Sequence, residues 1–142
     1  MAKPKTAKKP DAAKTAVFLY SKGYNCAKCV YYALRISHGR KPDPKVLKLC
    51  AAFGGGLGRS GSICGALIGA QFALAERTGT TGLDNPNSEA YKSARRLFKR
   101  FSNCFGAVTC KELNRCDFTS LAHFKRCSKI VSKSAQFADK LL

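Results

Sequence analysis

Helix starts and stops punctuate this chain at short intervals, and between them no alternating β-branched run reaches strand length. Apolar residues that recur only at three- and four-residue spacing can be buried only by packing helix on helix. Asp11 is placed to cap a first helix over 12–22, with Ala13, Ala16, Val17 and Tyr20 on one stripe and Gly23 as terminator. Asn25 caps a second from Cys26 to about Ser37, with Val30, Ala33 and Leu34 inward and Gly39 just beyond. Asp43-Pro44 supplies the cap and first-turn proline of a third, which runs to about Phe53. A fourth helix spans Cys64 to about Arg77 and stops at Gly79, and a fifth starts at Asn87 or Ser88. A short turn of helix over Cys110 to Asn114 precedes a last helix capped by Thr119. The expected fold is all-α, a compact bundle of about five to six helices with a glycine-rich loop preceding a central helix.

Two of these helices have amphipathic faces that can be assigned. In the fifth, Tyr91, Ala94, Phe98 and Phe101 are expected to be buried, with Lys92, Arg95, Arg96, Lys99 and Arg100 on the opposite side. In the last, Phe124, Cys127, Val131, Ser134 and Ala138 share a stripe that points Cys127 into the core. Residues 1–10, rich in Lys, Pro and Ala, read as a disordered basic arm ahead of a single cysteine-rich helical domain over 11–142.

A glycine-laden run leads into the fourth helix, Phe53-Gly54-Gly55-Gly56-Leu57-Gly58-Arg59-Ser60-Gly61-Ser62-Ile63-Cys64. The helix itself opens on Gly65, Ala66, Gly69 and Ala70, a row that costs roughly 1 kcal/mol for each Gly relative to Ala, so close packing or a bound group must offset it. The same small face would also permit a homodimer. Cys26 and Cys64 both fall in the first turn of a helix, where unpaired amides and the positive end of the dipole favour a thiolate and lower its pKa. Thiolate is both the metal ligand and the nucleophile, so placement alone leaves both uses open.

The chain holds eight cysteines in 142 residues and opens on a basic stretch without the apolar segment of a signal peptide. A cytoplasmic location is expected, and in a reducing compartment thiols at this density suit metal ligation or redox work better than structural bridges. The most apolar stretch, 63–75, is broken by Gln71 and is too short to span a membrane. A net charge of +18 gives a strong positive field that draws anionic partners, an acidic redox partner or non-specific nucleic acid among them. Hydrolase chemistry is poorly served, because the eight carboxylates are scattered, only two histidines occur, and there is no Gly-x-Ser-x-Gly elbow. The glycine run also lacks the Lys-Ser/Thr ending and preceding strand of a phosphate-binding loop.

Four separated segments match a known pattern: Gly23-Tyr24-Asn25-Cys26, the central Cys64-Gly65-Ala66-Leu67-Ile68-Gly69 with its Phe53-Gly54-Gly55-Gly56 approach, Phe105-Gly106-Ala107-Val108-Thr109-Cys110, and Cys127 followed by Val131. Over roughly residues 16 to 142 the chain resembles the C_GCAxxG_C_C family of small redox-active proteins. The resemblance implies a redox role, with Cys26, Cys64, Cys110 and Cys127 as the working set and an iron–sulfur cluster as cofactor, Gly65 lying against it. Cys29, Cys50, Cys104 and Cys116 depart from the pattern.

Cys29 completes a Cys-x-x-Cys pair with Cys26, and Cys104 lies six residues before Cys110, so either is a possible additional ligand, while Cys50 and Cys104 also read as core. His123, one turn before Cys127, is placed to complete a mixed site but reads first as a surface residue, and His38 reads as a helix-dipole contact. Three readings therefore enter the structure: an iron–sulfur protein for electron transfer or redox sensing, a metal-free thiol–disulfide oxidoreductase with Cys26 or Cys64 attacking, and a basic nucleic-acid-binding module. Zinc on the same thiols is weakened by the single close cysteine pair.

Overall fold

The computed structural model describes residues 8–115 and 117–142. Its helices are α1 (Ala12–Ser21), α2 (Cys26–Ser37), α3 (Pro44–Cys50), α4 (Gly65–Thr78), α5 (Glu89–Phe105), α6 (Cys110–Asn114) and α7 (Leu121–Leu141), with a 3₁₀ turn at Ala51–Phe53. Among the described residues there is no strand, only an isolated antiparallel bridge between Ile63 and Thr109. None of these helices is long and apolar enough to cross a membrane. The basic arm read over residues 1–10 lies, up to residue 7, outside the described residues.

The caps work as the side chains dictate. Asp11 accepts from Lys14 N at 2.9 Å, Asn25 from Lys28 N at 2.8 Å and Asp43 from Lys45 N at 2.9 Å, each satisfying an amide that the first helical turn leaves unpaired. The cap of α7 is Ser120 rather than Thr119, its hydroxyl accepting from His123 N at 3.1 Å. Asp117 moves the start by one residue, because its carboxylate already accepts from the amides of Thr119 and Ser120, both at 3.3 Å.

Helix α2 lies at the middle, packed against α1, α3, α4 and α7, and α4 packs in turn against α5 and α7. Tyr31, Leu34, Leu67, Leu74, Leu97, Phe101 and Val131 are fully buried between them. The glycine row of α4 is the crossing point with α2. A Cβ on Gly69 would occupy the space of the Ala27 carbonyl oxygen, and one on Gly65 would stand 2.5 Å from both Cys26 Sγ and the Phe53 carbonyl oxygen. Close approach of two backbones offsets the lost helix propensity. The small-residue face is thus packed inside the chain.

The buried stripe of α5 is rotated from the expected one. Ser93, Leu97 and Phe101 face inward, whereas Tyr91 and Phe98 remain 43% and 42% exposed. Both sets have helical spacing, so periodicity alone cannot choose between them. Contact with α4 decides: Gln71 Nε2 donates to the Ala94 carbonyl at 2.9 Å and Thr78 Oγ1 lies 3.4 Å from Ser93 Oγ, an approach that a small side chain at 93 allows. On α7, Val131, Ser134 and Ala138 are buried as expected, while Phe124 stays outside and stacks on Tyr20 with ring centroids 5.4 Å apart.

Candidate functional site

The segment before α4 is built by glycine stereochemistry. Gly54–Leu57 closes a single turn in which Gly55 (φ 67°), Gly56 (φ 70°) and then Gly58 (φ 61°) are left-handed, and Leu57 and Arg59 are drawn into the same region at φ 66° and 63°. Gly56 has no alternative: a Cβ there would meet Ser62 O at 2.5 Å and Cys110 Cβ at 2.8 Å. The turn closes through Gly61 N to Gly55 O (3.1 Å) and Ser62 N to Gly56 O (3.0 Å). Beyond it, Cys64 N donates to Val108 O at 2.8 Å and Cys110 N to Ser62 O at 2.7 Å. These bonds straddle the Ile63–Thr109 bridge and draw together the segments that carry Cys64 and Cys110, far apart in sequence. Asn25 holds the remaining corner, its amide donating to the carbonyls of Cys50 (3.1 Å) and Ala51 (3.3 Å) while its oxygen caps α2 beneath Cys26.

Cys26, Cys64, Cys110 and Cys127 all line one cavity of about 640 Å³, with Gly54, Gly55 and Gly65 in its wall. A single water takes about 30 Å³ of liquid, so this volume suits a much larger occupant. Cys26 is the first residue of α2, Cys64 the N-cap of α4, Cys110 the first residue of α6, and Cys127 lies in the second turn of α7. The occupant would face backbone on one side, because Gly65 carries no side chain to separate α4 from the Cys26 sulfur.

A second part of the lining consists of side chains. His123 is half-buried there, with Nδ1 3.6 Å from Cys127 Sγ, and Nε2 3.2 Å from the Tyr20 hydroxyl. Asn114, buried at the end of α6, hydrogen-bonds His123 Nδ1 through its amide nitrogen and accepts from Arg126 Nε at 2.9 Å. The Tyr20 hydroxyl also donates to the Cys127 sulfur. Burial holds His123 below the usual imidazole range, against the pull of Asp117 and with the help of Arg126 and Arg59, so at neutral pH it is the uncharged ring. His123 is therefore a cavity residue and not the surface histidine of the sequence reading. Its four-residue spacing from Cys127 was the available signal. Tyr20 and Asn114 carried none, since each reads as ordinary helix packing.

Cys26, Cys64 and Cys127 are not acidic. Burial pushes Cys26 and Cys64 up from the ordinary thiol range and Cys127 up to about 11. Backbone amides do oppose this, that of Gly55 in the glycine turn and the helix-start amides of Ala27 and Ala66 at Cys26, and those of Leu67 and Ala66 at Cys64. Loss of hydration outweighs them, and the sulfurs also repel one another, Cys26 acting on Cys64 and Cys127. The expectation of low-pKa thiols from helix position alone is corrected on this ground: the dipole is present, but so is an apolar wall.

The remaining candidates stand elsewhere. Cys29 is buried outside the cavity, its thiol donating to Tyr24 O at 3.3 Å, and burial pushes it up to about 12. Cys50 is buried, as read, but Cys104 is exposed near the end of α5 and is neither core nor part of the cavity. Cys116 lies outside the described residues. His38 does more than meet a dipole: its Nε2 lies 2.8 Å from Asp139 Oδ1, which Lys9 also approaches at 3.1 Å, so the end of α2 is tied to the end of α7. Among the described residues, no three His, Cys, Asp or Glu side chains converge tightly enough to hold a single ion.

A helical bundle that gathers cysteines from four distant segments around a glycine-walled cavity defines a cysteine-centred helical protein. The chain belongs to the C_GCAxxG_C_C family, described as "Putative redox-active protein", whose model matches residues 24–141. An uncharacterized protein of Archaeoglobus fulgidus is 25% identical to it over 134 residues, covering 88% of this chain and 89% of that protein. No solved structure matches the chain.

Proposed function

We propose that this is a small redox protein in which Cys26, Cys64, Cys110 and Cys127 hold an iron–sulfur cluster for electron transfer or redox sensing. The observation that carries the reading is that all four cysteines line one cavity with bare glycine backbone in its wall. The donor set fits: four thiols satisfy a two-iron or a four-iron cluster, which when bound supplies one-electron chemistry. Sulfurs spread around a cavity suit a cluster better than the point convergence at about 2.3 Å that zinc requires.

The chain's own groups then have defined tasks. Amides of Gly55, Ala27, Ala66 and Leu67 are aimed at the sulfurs of Cys26 and Cys64 and stabilise negative charge there. The Tyr20 hydroxyl does the same for Cys127. Hydrogen bonds to ligating sulfur and a cationic surround both favour the reduced state and raise the potential. Metal-free exchange is served less well, because a thiol kept protonated by burial is a poor nucleophile and Cys29, the nearest resolving partner in sequence, lies outside the cavity.

The test is anaerobic purification with iron and sulfide analysis and a visible spectrum, followed by single Ser replacements. Each of Cys26→Ser, Cys64→Ser, Cys110→Ser and Cys127→Ser is expected to lose iron and visible absorbance, and Cys104→Ser to keep both. Anaerobic protein with neither iron nor sulfide, but with a reversible two-electron change in thiol count, would replace this reading with dithiol chemistry.

A further inference from the structure

The outer face of α5 carries a second feature that owes nothing to the thiols. Tyr91 and Phe98 stand two turns apart on it, about 10.5 Å along the axis, and with Ala90, Ala94 and Gln71 they line an apolar groove of about 600 Å³ between α5 and α4. Arg95 and Lys99 form its rim, and Lys92, Arg96 and Arg100 are exposed on the same helix. Its only carboxylate, Glu89, already faces Arg96 at 3.8 Å. Arg95 donates to the Pro86 carbonyl at 3.2 Å, and among the described residues neither it nor Lys99 forms an ion pair with a carboxylate. An apolar centre flanked by two such cations has the anatomy of a protein–protein contact, in which aromatic anchors supply affinity and rim charges select the partner.

We infer that this groove docks an acidic protein segment, one that inserts an apolar side chain between Tyr91 and Phe98 and sets carboxylates against Arg95 and Lys99. Two other occupants fit less well. A second copy of the chain would bring its own charge of +18 against the same cationic rim. Single-stranded nucleic acid would match the cations, but Tyr91 and Phe98 stand about 10.5 Å apart, too far to stack on successive bases about 3.4 Å apart, and the Gln71 amide that could read a base edge is already committed to the Ala94 carbonyl. The inference is independent of what the cysteine cavity holds.

The test uses the full chain and two synthetic helical peptides of equal negative charge, one with a Leu/Phe stripe at helical spacing and one with Ser in those positions. Calorimetry at near-physiological salt is expected to give at least tenfold tighter binding of the apolar-anchored peptide. Tyr91→Ser/Phe98→Ser should abolish that difference and leave the weak salt-dependent binding of both peptides. Arg95→Glu/Lys99→Glu should weaken both. All four side chains are exposed, so thermal unfolding of the variants is expected to match the parent. Equal affinity for the two peptides in the parent chain overturns the inference. So does loss of oligothymidylate binding in Tyr91→Ser/Phe98→Ser with the peptide difference intact, which would make the groove a nucleic-acid site. Concentration-dependent self-association that disappears in the same variant would make it a dimer contact instead.

Discussion

The two walls of the cysteine cavity are made of different material. Around Cys26 and Cys64 the contacts are backbone: amides at two helix starts, a left-handed glycine turn, and a helix crossing with no side chain between the partners. Around Cys127 they are side chains, Tyr20, His123 and Asn114, linked by hydrogen bonds from α1 through α7 to α6. A backbone wall is all-or-none, because a carbonyl cannot move without moving its helix. A side-chain wall is adjustable, since each member can be altered while the helices stay where they are.

The largest expected effect lies on the backbone wall. Gly69→Ala gains about 1 kcal/mol of helix propensity and meets the Ala27 carbonyl, for which overpacking costs typically 1–3 kcal/mol or more. Because the obstructing atom is backbone, the upper end of that range applies, and the net expectation is a loss of about 2 kcal/mol in urea unfolding. In protein holding the proposed cluster, iron content should also fall, because α4 must shift away from Cys26. Gly58→Ala, left-handed but with nothing within 4 Å of a new Cβ, should lose only about 1 kcal/mol and keep the cavity. A stabilised Gly69→Ala would mean that propensity alone governs the crossing, and the contrast between the walls would fail at its first member.

This wall was also the part most open to reading from sequence. Asn25, Asp43 and Gly79 mark helix ends by local chemistry that operates before tertiary contacts exist, and the Gly65/Gly69 spacing announces a close approach without naming its partner. What could not be read was anything set by a neighbouring helix. The choice between Phe98 and Leu97 as the inward residue of α5 depends on Gln71 and Thr78, more than fifteen residues away. The thiols illustrate the same limit: a helix start argues for acidity, and only the three-dimensional environment reveals that dehydration wins.

On the side-chain wall, Asn114→Ala removes an amide that bonds His123, Asp117 O (2.8 Å) and Arg126. Leaving part-buried partners unsatisfied falls in the lower half of the about 1–3 kcal/mol range, so a loss of about 1–2 kcal/mol is expected, and in protein holding the proposed cluster iron content should stay near that of the parent. In protein holding the proposed cluster, a loss of iron in Asn114→Ala as severe as in Gly69→Ala would show that the second wall is no more adjustable than the first.

Alkaline titration of the metal-free, reduced protein tests the burial of the thiols, Cys127 on the side-chain wall among them. Unfolded thiols ionise near 8.5, whereas burial holds Cys127 and Cys50 up to about 11 and Cys29 up to about 12. The folded state therefore keeps protons that the unfolded chain releases. Stability from this source is complete below about pH 8.5 and is lost as pH rises through 11 to 12. Urea midpoints measured from pH 8 to 11.5 should fall progressively, and alkylation mapped by mass spectrometry should mark exposed Cys104 well before Cys127. Simultaneous labelling of the two would mean that the side-chain wall leaves Cys127 open to water.

The smallest effect sharpens the contrast most. Tyr20→Phe keeps the ring stacked on Phe124 and deletes only the hydroxyl shared between Cys127 and His123. The stability loss should be about 0.5–1.5 kcal/mol. Because that hydroxyl donates to the sulfur and lowers its pKa, Cys127 should ionise above its present value of about 11, and alkylation in the metal-free protein should slow at fixed alkaline pH. In protein holding a cluster, loss of a donor to sulfur should lower the midpoint potential while leaving iron content unchanged. A potential that moves with Tyr20 while the ligands stay in place is what an adjustable wall predicts. An unmoved potential would confine tuning to the backbone amides at Cys26 and Cys64.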